Sequence, residues 1–398
     1  MDDKNMEQQI NEIEDLLSLE NDIENVDQKE LTKSVKKRMS KHIYLRAFIT
    51  VIVVVGIGIG LYFGSSKVVS LVCYDPTKEK ELLEDYENDG SAYQDDFNAL
   101  YTKYTGLIFP GKYVLPYSDN GEDTVRFSRG FGKYVYKYKI SDCIEGIVLD
   151  GTYNSQHVIT RNHKSKEESY GPQAVELNTF YNANLKDDPD WDLYYRGGSF
   201  SEIAEDNDLI QEIEQLPDSV ILLVNASYKT VKTADEAVAF MGKHPEAEVT
   251  WVAVDDPYFF THQATTGITL QSAVGYFYNK ETLEKYPNID DSRWNYDGTE
   301  GFEQHGGKEL EQLYLSTLKV LIDHEKFVDA MCYGNKGMYA DYYGVENMKK
   351  QYENVSQNGI DVIGMQMMIQ KQDLLNLIEE DEFQYLDVRR IRLSGFRD

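Results

Sequence analysis

Ala47 to Ser66 reads AFITVIVVVGIGIGLYFGSS, twenty residues without a charge between Arg46 and Lys67. As an α-helix this run is about 30 Å long, one hydrocarbon thickness. The sequence therefore predicts a bitopic membrane protein with a single transmembrane helix over 44–66. More than three hundred residues follow the span and a polar arm precedes it, so a function has to use both sides of the bilayer.

Working outward, Lys29, Lys33, Lys36, Lys37, Arg38, Lys41 and Arg46 lie upstream, against Lys67, Lys78 and Lys80 in the matching downstream stretch. Positive charge is retained on the cytoplasmic side. The N-terminus is thus expected in the cytoplasm and residues 67–398 outside the plasma membrane. A cleaved signal peptide would begin with a short basic region. Here the first 28 residues hold ten acids and one lysine, so a retained signal anchor is expected instead.

Charge divides the chain further: residues 1–28 carry −9, residues 29–46 carry +6 and residues 64–398 carry −26. No part suits bulk nucleic acid, and no nucleic-acid partner is expected. With 41% hydrophobic residues and 30 tyrosines, the chain can bury a core outside the membrane, in one or two domains. Its three cysteines, Cys73, Cys143 and Cys332, are too few and too dispersed for a disulfide framework. At most one bridge can form between them, and none is expected.

In the arm, Ile10, Ile13, Leu16, Leu17, Leu19, Ile23 and Val26 recur at helical steps among acids. Asp27 and Glu30 form an N-cap pair that starts a second helix at Gln28, running through the basic segment into the bilayer, with a hinge at Val26 and Asp27. An isolated helix of about fifteen residues is marginal in water. The arm reads as a segment that folds when its stripe docks into a groove on another protein, the alternative being a solvated acidic tail.

Within the span, Gly56, Gly60 and Gly64 repeat every four residues. Such spacing lets two helix backbones approach and would seat a homodimer, although glycine is also common in membrane helices that do not pair.

Beyond the membrane, residues 67–198 read as a β-rich proximal part. Alternation is clearest at Tyr134, Tyr136, Tyr138 and Ile140, after a turn at Gly130-Phe131-Gly132. Residues 199–398 read as a distal α/β part opening with a helix from Glu202 to Gln215, which stops before Pro217. Two segments there share one plan. Val220 to Val224 is a strand, Thr233 and Glu236 form a capping box for a helix closing at Gly242, and Val249 to Val254 is the next strand. Later come a strand from Ile360 to Ile369, a helix from Lys371 to Glu380 and a strand from Phe383 to Ile391. Two β-α-β units in one domain predict a ferredoxin-like sandwich with residues 257–358 inserted. The insertion holds a helix from about Lys308 to Met331 whose Leu310, Leu313, Leu321, Phe327 and Met331 face the core.

The order of acidic arm, basic juxtamembrane stretch (KSVKKRMSKH), span and distal module resembles the transmembrane anti-sigma factors of Gram-positive bacteria that carry paired sigma-factor-regulator N- and C-terminal domains. Leu216 to Pro257 and Gly359 to Ile391 look like the start and end of the C-terminal module, and Lys33 to Asp75 like the N-terminal one. The resemblance implies that the arm, residues 1–43 with the basic helix, holds an extracytoplasmic-function sigma factor while the ectodomain responds to an envelope signal. Release by a site-1 or intramembrane protease and release by rearrangement both stay open. Many such factors use a zinc-binding helical domain, but residues 1–72 contain no cysteine, so zinc is not expected there.

No catalytic residue, metal or cofactor is expected. The seven histidines include no metal pair at i, i+4 with an intervening glutamate, and neither G-x-S-x-G nor a P-loop string occurs. His324, beside Asp323 and Glu325, reads as structural. Asp187, Asp188, Asp190 and Asp192, and likewise Asp290, Asp291, Asp297 and Glu300, lack calcium-loop spacing and read as solvated turns. The competing function is a signal-anchored surface protein whose ectodomain binds a wall component or another protein. Deletion of residues 1–28 separates the two readings.

Overall fold

The computed structural model describes residues 32–60 (35 excepted), 74, 78–84, 96–110, five strands between 112 and 170, and residues 180, 201–203, 207–258, 265–270, 276–290, 306–332 and 344–393. The chain divides into two compact units, Met1–Ser65 and Ser66–Asp398.

The first unit is described by one helix, α1 (Thr32–Gly60), of 29 residues. It runs from the basic segment into the apolar run, while Asp27, Glu30 and the helix start expected at Gln28 lie outside the described residues. Its apolar side chains, Phe48, Ile52 and Val54 among them, are exposed along the helix. The Thr50 hydroxyl donates to the Arg46 carbonyl at 2.8 Å, so this hydroxyl is satisfied within the helix. The helix is long and apolar enough to cross a membrane.

The second unit begins its regular structure with α2 (Asp96–Ile108), where the sequence reading expected only strands and loops. All thirteen residues are buried, so no polar stripe marks the helix in the sequence. Its Tyr, Thr and Ile content also favours strands on local preference. Five antiparallel strands follow: β1 (Lys112–Pro116), β2 (Val125–Ser128), β3 (Lys133–Asp142), β4 (Tyr153–Ile159) and β5 (Ser165–Tyr170). β3 pairs along one edge with both β1 and β2 and along the other with β4, which pairs with β5. The strand expected around Tyr134 to Ile140 is therefore the centre of a sheet, and β2 and β3 flank the glycine pair at 130–132.

A second sheet contains β6 (Ser201–Glu202), β7 (Val220–Thr233), β8 (Glu248–Val254), β9 (Thr266–Thr269), β10 (Asp361–Gln370) and β11 (Phe383–Leu393), in the order β6-β11-β7-β10-β8-β9. Every pairing is antiparallel. β7 and β8, joined by α4 (Ala234–Lys243), thus run parallel with β10 between them. β10 and β11, joined by α9 (Lys371–Glu379), run parallel with β7 between them. The two β-α-β units interleave in one sheet.

Helix α3 (Asn207–Gln215) ends where expected but starts later, because Ser201 and Glu202 pair with Leu386 and Tyr385 as strand β6. Lys371 ties α3 to the second unit: its ammonium donates to the Leu216 carbonyl at 2.8 Å and pairs with Asp218 at 2.6 Å. At the start of α4 the capping box is formed, with Glu236 N–H to Thr233 Oγ1 at 3.3 Å and Thr233 N–H to Glu236 Oε2 at 2.8 Å. The segment between β8 and β10 supplies β9, α5 (Lys280–Lys285), α6 (Gly307–Asp323), α7 (Glu325–Cys332) and α8 (Val345–Asn358). The single helix expected over Lys308 to Met331 is therefore two. It breaks at His324, whose φ of −104° and ψ of 46° leave the helical region. Leu310, Leu313, Leu321, Phe327 and Met331 are all buried, as expected.

One continuous core joins Leu222, Val224 and Ala226 of β7 and Met365, Met367 and Ile369 of β10 to Ala237 and Met241 of α4 and to Leu374 and Leu377 of α9. Leu100 and Leu107 of α2 belong to the same core. Trp251 anchors α2 to the sheet edge. Its indole N–H donates to the Gly106 carbonyl at 2.8 Å, and the Thr269 hydroxyl donates to the same oxygen at 3.0 Å.

Candidate functional site

Of the residues expected to act, Lys36, Lys37, Arg38, Lys41 and Arg46 lie exposed on the N-terminal half of α1, ahead of the apolar run. Gly56 and Gly60 lie one turn apart on the same helix, with open space where a side chain would stand. Gly64 falls outside the described residues. So do Ile10, Ile13, Leu16, Leu17, Leu19, Ile23 and Val26 of the arm, the hinge at 26 and 27, and the acidic clusters apart from Asp290.

The described residues of the second unit, Ser66–Asp398, carry two buried polar groupings that sequence reasoning did not find. The first gathers β8, β9, α6 and α8 at the end of β8. Thr266 Oγ1 donates to Asp256 Oδ2 at 2.8 Å, and the Tyr314 hydroxyl lies 2.6 Å from Thr266 Oγ1. Gln351 Nε2 donates to the Tyr314 oxygen at 3.3 Å and to the Asp255 carbonyl at 3.1 Å, while Tyr258 N–H donates to Asp256 Oδ1 at 3.1 Å. Burial pushes the Tyr314 hydroxyl well above its ordinary pKa, and the nearby Asp256 charge adds to this. Tyr314 is therefore a neutral donor at physiological pH and cannot serve as a base. The grouping ties four elements together.

The second grouping crosses the sheet on the face opposite α4 and α9. Thr250 Oγ1 donates to Gln366 Oε1 at 3.1 Å, and Gln366 Nε2 donates to Asn225 Oδ1 at 2.8 Å. Asn225 stands opposite Asp387, which accepts from Arg389 Nη1 at 2.7 Å. Thr250 reaches this face because the register slips between Gln366 and Met367, which leaves Thr250 between Val249 and Trp251 without an opposing residue. Buried polar partners on neighbouring strands fix the register, since a slip of one residue would strand each of them. The signal was present in the sequence as single polar residues within apolar strands: Asn225 after VILLV, Gln366 in GMQMMI and Asp387 in YLDV.

Two histidines lie against carboxylates: His324 Nδ1 is 3.0 Å from Glu79 Oε2, and His244 Nδ1 is 3.0 Å from Glu246 Oε1. Among the described residues no group of three or more His, Cys, Asp or Glu side chains is placed to hold a metal ion.

What the second unit presents among its described residues is a helix-backed antiparallel sheet whose buried polar groups join neighbouring strands and helices. Residues 213–389 match the family model of the sigma factor regulator C-terminal domain. The matched segment runs from α3 to within β11 and so takes in both β-α-β units and the helices inserted between them. It leaves α1, α2 and the first sheet outside. No curated protein and no solved structure matches the chain.

Proposed function

We propose that this chain is a membrane-anchored anti-sigma factor. A single coincidence carries the reading: a segment similar to sigma factor regulator C-terminal domains shares a chain with one helix long and apolar enough to span a bilayer, preceded by a basic stretch and an acidic arm. In this reading the arm lies in the cytoplasm and covers the polymerase-binding surface of an extracytoplasmic-function sigma factor, through Ile10, Ile13, Leu16, Leu17, Leu19, Ile23 and Val26. The outer unit, with its interleaved units read as a ferredoxin-like sandwich, receives an envelope signal and lowers the arm's hold. A change of about 3 kcal/mol in arm binding alters free sigma factor roughly a hundredfold, enough for a switch.

The test is capture of the host's sigma factors by the full-length chain solubilised from membranes, alongside capture by residues 1–42. The double substitution Leu16→Asp and Ile23→Asp should abolish capture while membrane insertion is unchanged. Recovery of no sigma factor by the unsubstituted chain would refute the proposal.

A further inference from the structure

One end of α1 is a cationic helix without acids of its own. Between Thr32 and Arg46 it carries six cations, Lys33, Lys36, Lys37, Arg38, Lys41 and Arg46, and not one Asp or Glu. All six are exposed. Met39 and Ile43, 59% and 61% exposed, stand one turn apart. Helical spacing places Lys36 on one side of this apolar row and Arg46 on the other. Lys33, Lys37 and Lys41 follow one another at four-residue steps, a like-charge row that costs helix stability unless anions lie beside it.

A bilayer surface reaches only the near end of this helix. Headgroups extend about 5–8 Å beyond the hydrocarbon, whereas Lys33 stands thirteen positions, about 20 Å, ahead of Arg46. At the largest usual tilt, about 40°, it is still about 15 Å out. No glycine or proline between Thr32 and Val55 bends the helix toward the membrane. With the apolar run spanning a bilayer, Lys33, Lys36 and Lys37 therefore stand clear of the lipid headgroups.

We propose that this face is covered by residues 10–26 of the same chain, folded back on residues 32–46 as an antiparallel helical hairpin. Residues 10–26 hold six acids, Glu12, Glu14, Asp15, Glu20, Asp22 and Glu24, and no Lys or Arg, so the two segments cancel charge for charge. Their lengths agree as well, about 25 Å of helix against about 22 Å. The intervening residues 27–31 suit the short connection of a helical hairpin. Folded about that turn, Leu16 meets Met39, Ile13 approaches Ile43, and Ile10 arrives opposite Arg46, where the apolar run begins. A second copy of α1 would instead bring six more cations, and a tethered segment competes at an effective concentration of roughly millimolar. The inference deepens the reading of this chain as an anti-sigma factor and rests on it in one respect. Leu16 and Ile23 are there assigned to the sigma factor, so hairpin and complex exclude each other.

Disulfide trapping tests the hairpin in the full-length chain, with Cys73, Cys143 and Cys332 replaced by Ser, in phosphatidylcholine vesicles. Leu16→Cys with Met39→Cys should bridge within one chain roughly tenfold faster than the offset pair Ile10→Cys with Thr32→Cys. Glu20→Lys with Glu24→Lys should remove that advantage. Adding Lys33→Glu and Lys36→Glu should restore it, which a merely misfolded arm would not allow, while Lys37, Arg38, Lys41 and Arg46 keep the orientation. Phosphatidylglycerol vesicles should leave the bridge in place. A rate no greater than that of the offset pair, a bridge between two chains, or loss of the bridge on phosphatidylglycerol overturns the proposal, the last two giving the face to a second copy or to anionic lipid. The bridged chain should capture roughly tenfold less sigma factor than the same chain after reduction, and equal capture by the two forms overturns the exclusion. If the unsubstituted chain captures no sigma factor, the anti-sigma reading falls while the trapping still decides the hairpin.

Discussion

Trp251→Phe tests whether α2, which lies outside the segment similar to sigma factor regulators, is integral to the outer unit. Trp251 is fully buried, its ring centroid 5.5 Å from that of Phe180 and its indole N–H 2.8 Å from the Gly106 carbonyl. The substitution keeps an aromatic ring and removes the donor. Because the Thr269 hydroxyl stays on the same carbonyl, the acceptor is not orphaned, and the loss is that of one net hydrogen bond, about 1 kcal/mol. The deleted ring atoms add about 1 kcal/mol of lost transfer energy, and the void they leave adds about 1 kcal/mol more. The sum, about 3 kcal/mol, lowers the unfolding midpoint of a unit this large by roughly 4 °C. Thermal unfolding of the full chain in detergent micelles measures the shift, and amide exchange across residues 97–108 locates it. A shift below about 1 °C, or a normal shift with α2 amides as protected as before, would refute the account of how this helix is held.

Two further outcomes follow from the same region and from the start of α2. Gly267→Ala places a methyl carbon inside contact distance of Trp251 Cζ2 and of the Val252 carbonyl oxygen. It should cost about 2 kcal/mol or more in chemical denaturation, and Trp251→Phe should not rescue it, because the backbone oxygen stays in place. Burial raises the Asp96 carboxyl above its ordinary value, against the lowering effect of the Leu82, Leu83 and Glu81 N–H groups, with the Glu79 charge adding to the rise. The fold therefore favours protonated Asp96. That contribution is complete below the ordinary value of 3.8 and fades as pH rises through the higher folded value. Asp96→Asn should accordingly show its largest stability deficit against the unsubstituted chain in acid, narrowing toward neutral pH. A deficit that widens with pH would contradict this.

Local signals were legible where one residue pair decides the geometry. The Thr233 and Glu236 capping box and the stop before Pro217 formed at their expected places, and the strand read around Tyr134 to Ile140 formed over Lys133–Asp142. Strands with a clear apolar run were found, but β7 continues nine residues past Val224. Its Asn225 and Ser227 look like loop chemistry until a second buried face accounts for them. Helix α2 was missed for the opposite reason: burial on every side erases the periodicity that betrays a half-exposed helix. The break at His324 has neither glycine nor proline to announce it. Of the candidate sites, the basic residues and glycines of α1 were readable from composition alone. The grouping around Tyr314 was not, because Gln351 reaches the Asp255 carbonyl across nearly a hundred positions of sequence.

The interleaved strand order also governs when this molecule can come into being. Val220 opens the central strand and Leu393 is its last partner, so the middle of the sheet waits for nearly the whole chain. If the unit is assembled across a bilayer, the early strand must travel through the export channel and linger, unmatched, until the C-terminal end arrives. A ribosome that stops short of residue 383 would deliver a chain whose innermost strand lacks its β11 neighbour, an invitation to foreign pairing and to quality-control proteases. Synthesis through β11 is thus a checkpoint written into the topology itself.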